Sequence, residues 1–135
     1  MAGILVVEDD EQVRTLAVTI LEEAGHQTLS AASTTEAESI ISSDAKFDVL
    51  FVDVTLVDDS DAGFEDRYAG LDLALAAARF RPGVRVVYTT GLGLKEGMIS
   101  LFVEPNVFLT KPYSREQLVS AVVNVLNAPP SPDAG

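Results

Sequence analysis

The stretch Val49-Leu50-Phe51-Val52, ending at Asp53, decides how this chain is read. Four consecutive apolar residues leave no polar face, which fits a parallel strand buried on both sides in the centre of a sheet. A charged residue directly after such a strand is costly unless it has a partner. Two other apolar runs end the same way. Ile4-Leu5-Val6-Val7 runs into Glu8-Asp9-Asp10, and Val107-Phe108-Leu109-Thr110 stops at Lys111.

The segments between these runs are helical in pattern. Val13, Leu16, Ala17, Ile20, Leu21 and Ala24 follow the i, i+3, i+4, i+7 spacing of an amphipathic helix, which Gly25 stops. Gln27–Ala31 forms a weaker second strand. Ser33 with Glu36 makes a capping box for a helix whose Ala37, Ile40 and Ile41 turn inward. Leu71, Ala74, Leu75 and Ala78 predict a third helix, closed by Arg81-Pro82-Gly83, and Val84–Tyr88 a fourth strand. A fourth helix over 94–102 is the weakest element, because Gly97 interrupts its pattern. Ser114 with Gln117 caps a last helix carrying Leu118, Ala121, Val122, Val125 and Leu126 on one stripe.

Five strands alternating with five helices predict an α/β fold built on a five-stranded parallel sheet. Right-handed crossovers leave few arrangements, of which the order 2-1-3-4-5 is the common one. Its switch point lies between the first and third strands, where ligands bind beyond the carboxyl ends. Glu8, Asp9 and Asp53 would flank that crevice, with Thr89-Thr90 and Lys111 beside them.

Composition narrows the function. The chain has 135 residues, enough for one domain with a full core, and no cysteine for disulfides or thiolate metal sites. A formal charge of −12 opposes binding to nucleic acid or anionic lipid. There is no apolar span of membrane length and no secretory signal at the start, so the expected location is cytoplasmic.

The acids have a plain alternative reading: Asp9 with Gln12 could simply cap the first helix. Asp53 has no such reading, since Val-Thr-Leu-Val after it offers no helix start. Paired acids at adjacent strand ends raise one another's pKa unless a cation stands between them. Mg²⁺ suits that role, taking oxygen ligands and retaining waters for a phosphate to replace. Lys111 could snorkel to solvent, but facing carboxylates it reads as an ion-pair partner that can later hold a phosphoryl group. Carboxylate nucleophile, metal, hydroxyl and ammonium are together what acyl-phosphate formation needs.

In this order and spacing, V-V-E-D-D, F-V-D, V-V-Y-T-T-G and F-L-T-K-P resemble the receiver domain of two-component response regulators, over roughly Gly3 to Leu126. The resemblance implies a flavodoxin-like, doubly wound three-layer sandwich over 1–127, with 128–135 as a disordered tail or linker stub. It implies that Asp53 accepts a phosphoryl group from a histidine kinase or histidine phosphotransfer protein. Glu8 and Asp9 would position Mg²⁺, with Asp53 and the Thr55 backbone carbonyl as further ligands. Thr90, followed by Gly91, matches the hydroxyl residue that meets the phosphoryl group, in preference to Thr89. Lys111 matches the family lysine, with a cis bond to Pro112. Phe108 falls at the aromatic switch position, although a plain core aromatic remains an open reading. Phosphorylation would then alter the face made by the fourth helix, the fifth strand and the last helix for a downstream protein.

Some features depart from the pattern. Val54 to Tyr68 is a long connection, strongly acidic at Asp58-Asp59-Ser60-Asp61 and Glu65-Asp66, with Val57 where a proline is common. It reads either as a solvated loop or as a gate or partner-selecting element over Asp53. Gly70-Leu71 aligns with the family's usual start of the third helix. His26, the single histidine, lies away from the crevice and reads as structural or surface.

Two other functions compete. A haloacid-dehalogenase-type phosphatase also uses an aspartyl phosphate, but wants a general acid two residues after the nucleophile, where this chain has Thr55. A phosphorylation-independent pseudo-receiver adaptor usually lacks part of the acid, aspartate and lysine set, which is complete here. The residues after Leu126 are not expected to form an output domain, which fits a stand-alone receiver, a shuttle or a piece of a longer regulator. The sequence leaves oligomeric state open.

Overall fold

A computed structural model describes residues 2–54, 69–90 and 103–129. The strands are β1 (Gly3–Val7), β2 (Gln27–Ala31), β3 (Val49–Asp53), β4 (Arg85–Thr90) and β5 (Asn106–Thr110). The helices are α1 (Glu11–Glu23), α2 (Thr34–Ile41), α3 (Ala69–Phe80) and α4 (Arg115–Asn127). All strand pairs are parallel, and the sheet order is β2-β1-β3-β4-β5, as the sequence predicts. The expected helix over 94–102, the long acidic connection and Thr55 lie outside the described residues.

The central strands justify the opening reading. Every residue of β3 is buried, and Ile4 to Val7 of β1 are fully buried. Side chains alternate between two hydrophobic layers. One joins Leu5, Val7, Leu50, Val52, Val86 and Tyr88 to α2 and α3. The other joins Ile4, Val6, Val49, Phe51, Val87 and Leu109 to α1 and α4. With apolar cores on both faces, the polar ends of the strands become the places where chemistry can sit.

Several local expectations are corrected. The cap of α1 is Asp10, not Asp9: its extended backbone lets the carboxylate accept from the Val13 N–H at 3.1 Å. Glu36 does not close the expected box onto Ser33; Ser33 Oγ accepts from the Glu36 N–H, while the Glu36 carboxylate accepts from the Ala32 N–H. The Ser114–Gln117 capping box is complete. In α1, Leu16 is 56% exposed and Ala24 also faces out, because the sheet covers only the narrower arc of Ala17, Ile20 and Leu21. In α3 the buried side runs through Leu71, Leu73, Ala74 and Ala77, leaving Leu75 exposed. Strands β4 and β5 extend further than their apolar runs, because Thr89, Thr90 and Thr110 continue the ladder.

Two guanidinium groups hold helix ends in place. Arg81, just after α3, donates to the carbonyls of Ile40 and Ile41 in the last turn of α2 and of Ser43 beyond it, and lies 4.2 Å over the Phe47 ring. Arg85 donates to the Val125 and Ala128 carbonyls, holding the end of α4. His26 Nδ1 accepts from the Ala2 N–H, in keeping with a structural role.

Candidate functional site

The ladder carries the charged strand ends into one crevice. Beyond the strands, the Glu8 N–H donates to the Ala31 carbonyl, Val54 N–H to Thr89, and Lys111 N–H to Thr90. These bonds set Glu8, Asp53 and Lys111 at matching depth across β1, β3 and β5. Lys111 Nζ then spans the gap, donating to Glu8 Oε1 at 2.5 Å and to Asp53 Oδ2 at 2.8 Å. Glu8 is 1% exposed and Asp53 6%, so the ammonium bridges two buried carboxylates.

Glu8 is held from several sides. Its Oε2 accepts from the Asp10 N–H at 3.1 Å, and its carbonyl accepts from Arg14 Nη1 at 2.9 Å, so α1 reaches back to the strand end. Burial pushes its pKa above the ordinary carboxylate value; Lys111 and the Asp10 N–H offset this in part, while the Asp9 carboxyl adds to it. Burial alone would lower the pKa of Lys111, but its bonds to Asp53 and Glu8 and their charges outweigh it, and the net shift is upward. The ammonium is therefore kept charged between the two acids.

The chain belongs to the response regulator receiver domain family. That family's profile matches residues 4–123, and such domains are signalling modules of two-component systems. A CheY-like receiver from Methanospirillum hungatei JF-1 is 23% identical, with a TM-score of 0.77, covering 94% of both chains. A receiver protein from Sinorhizobium medicae WSM419 is 26% identical with a TM-score of 0.79, covering 93% of this chain and 94% of the other. NtrX from Brucella abortus is 28% identical with a TM-score of 0.75, where the match covers 93% of this chain but 26% of that longer one. No curated protein is significantly similar in sequence.

The receiver's expected residues are thus distributed as follows. Glu8, Asp53 and Lys111 meet directly, and the Lys111–Pro112 bond is cis. Asp9 stands at the exit of β1, relieved of capping by Asp10. Thr90 and Thr89 are both buried at the end of β4. The register pairs Asp53 with Thr89, so Thr89 shares the Asp53 face, while Thr90 shares the face of Tyr88 and Phe108. Phe108 is half-buried against the α2–α3 layer.

Hard oxygen donors with excess negative charge suit Mg²⁺. Glu8, Asp9 and Asp53 outnumber the single ammonium, and receiver domains generally bind this ion at their acidic pocket. Among the described residues no three acidic or imidazole side chains form a ready cage. Mg²⁺ needs none, because it keeps waters and uses one or two carboxylates.

Two features were not read from the sequence. Tyr113 lies against Phe51, ring centroids 6.1 Å apart at 78°, and its buried hydroxyl has no hydrogen-bond partner among the described residues. Burial pushes this phenol up to about 12. An apolar groove of about 450 Å³, lined by Val13, Leu16, Pro112 and Tyr113, opens beside Lys111. The outward Leu16 was the available signal, hidden because it fitted the helix stripe.

Proposed function

We propose that the chain is a phosphoacceptor receiver, taking a phosphoryl group from a phosphohistidine donor onto Asp53 with Mg²⁺. The observation that carries this reading is the Lys111 ammonium bridging Glu8 and Asp53 at 2.5 and 2.8 Å. An Asp53 oxygen forms the new P–O bond as the donor's P–N bond breaks. The bonding pair leaves with the imidazole, which takes up a proton. Lys111 neutralises charge on the transferring group and Thr90 donates a hydroxyl hydrogen bond to it. Glu8, Asp9, Asp53 and the Thr55 carbonyl would hold Mg²⁺, which when bound neutralises phosphoryl oxygens on another side.

The donor is a histidine kinase or histidine phosphotransfer protein. The groove around Leu16 gives a protein donor an apolar seat next to Lys111, which a small phosphate ester would not need. Loading at Asp53 shifts Thr90 and Phe108 and changes the surface offered to a downstream protein. The receiver spans 1–127, with 128–135 as a tail or linker stub, and works in the cytoplasm.

Incubation with Mg²⁺ and a small acyl- or amido-phosphate donor, followed by intact mass, tests the reading. It predicts one labile phosphoryl adduct on the wild-type chain and none on Asp53→Asn. No adduct on either would leave a pseudo-receiver. Turnover of many free phosphate esters would favour the phosphatase chemistry.

A further inference from the structure

Among the described residues Tyr88 is the largest fully buried side chain, and it stands in the middle of β4, two residues before Thr90. A hydroxyl at that depth is costly unless bonded. Here the Val103 N–H donates to Tyr88 Oη at 2.7 Å. The Val103 carbonyl is held too, accepting from Asn106 Nδ2 at 3.1 Å. Two side chains, one from β4 and one from the first residue of β5, therefore fix the peptide groups of Val103 at the approach to β5.

The register joins this anchor to the crevice. Tyr88 pairs with Phe108 and Thr90 with Thr110, so all four project from one face. Tyr88 belongs to the α2–α3 layer, and both Val103 and Phe108 pack against that layer. A displacement of Thr90 or an inward swing of Phe108 would press on a ring that is fully buried. The yielding point is the hydrogen bond from the Val103 N–H to the ring's hydroxyl.

We propose that Tyr88 is a strut that relays a change at Thr90 and Phe108 to the Val103 amide, coupling occupancy of the Asp53 crevice to the approach to β5. The proposal rests on the phosphoacceptor reading for its trigger, but the strut itself does not. In the unloaded state the strut holds Val103. In the loaded state the phenol moves and releases the amide.

Site-resolved amide exchange and Phe108 ring signals, both by nuclear magnetic resonance, test it on the full chain and on Tyr88→Phe, with thermal melts confirming that both fold. Without donor, Tyr88→Phe should speed exchange at Val103 about tenfold and also shift the Phe108 ring signals and the β5 amides. With Mg²⁺ and a small acyl-phosphate donor, the wild-type Val103 amide should speed up in samples whose adduct is verified by intact mass. Loaded Tyr88→Phe should show no further change there. A verified adduct with unchanged Val103 exchange would overturn the relay. So would a Tyr88→Phe effect confined to Val103, and that arm decides the matter even if no adduct forms and the phosphoacceptor reading falls.

Discussion

Helix α3 begins so close to the end of β3 that a Cβ on Gly70 would overlap the Asp53 carbonyl oxygen and come within 2.9 Å of its carbonyl carbon. The same Cβ would meet Val54 Cα at 3.1 Å, so backbone alone surrounds the position and no flexible side chain can give way. Gly70 is required by this close approach. Gly70→Ala should destabilise the fold by about 1–3 kcal/mol through overpacking and should slow loading of Asp53, because the strand end must move. Urea melts and loading rates by intact mass check both effects.

Removing the Lys111 ammonium should leave two buried carboxylates facing each other. Lys111→Met is expected to cost about 2–4 kcal/mol near neutral pH, less than a fully enclosed pair would, since Lys111 is 21% exposed. Glu8 is already raised above 4.5 in the fold, so the folded chain binds its proton more readily than the unfolded chain does. Stability carried by that proton grows as pH falls through the folded value. The deficit of Lys111→Met should therefore shrink between about pH 7 and about pH 5, measured by denaturant melts across that range.

Alkaline pH should act in the opposite sense. Tyr88 and Tyr113 are pushed from 10.0 to about 12, first by burial, and Lys111 is raised from 10.5. All three hold their protons more tightly folded than unfolded, so stability falls as pH rises above about 10. Tyr88 alone accounts for about 2–3 kcal/mol of that loss. Ultraviolet titration should show Tyr88 and Tyr113 ionising together with unfolding, and Tyr88→Phe should flatten the alkaline decline.

The two threonines at the end of β4 should separate cleanly. Thr89 Oγ1 is buried with no hydrogen-bond partner among the described residues, so Thr89→Val should leave stability unchanged or raise it by about 1 kcal/mol. Loading at Asp53 should be little affected. Thr90→Val should slow loading about tenfold or more, as loss of a hydrogen bond to a charged group implies. Comparing loading rates with melting curves for both variants distinguishes the roles.

The sheet and its crevice were legible because the signal was thermodynamic: apolar runs that stop at Glu8, Asp53 and Lys111 must gather those charges to keep them paired. The order of the strands followed from the right-handed crossovers of alternating strands and helices, which leave few arrangements. Cap identity was less legible, since Asp9 and Asp10 are equivalent in type and only backbone geometry selects Asp10. Leu16 and Leu75 fitted helical stripes, but how wide an arc a sheet covers is a tertiary matter. The partner of Tyr88 was invisible, because nothing near it in sequence marks the Val103 N–H, 15 positions away.

The phosphoryl acceptor can be identified directly by chemical trapping. The wild-type chain is incubated with Mg²⁺ and a small acyl-phosphate donor, then treated with borohydride, which reduces an aspartyl phosphate to homoserine. Peptide mass spectrometry then reads the modified position. The phosphoacceptor account predicts homoserine at position 53 and its loss when Mg²⁺ is chelated. Homoserine at another aspartate, or none in a sample that carries a phosphoryl adduct, would contradict it.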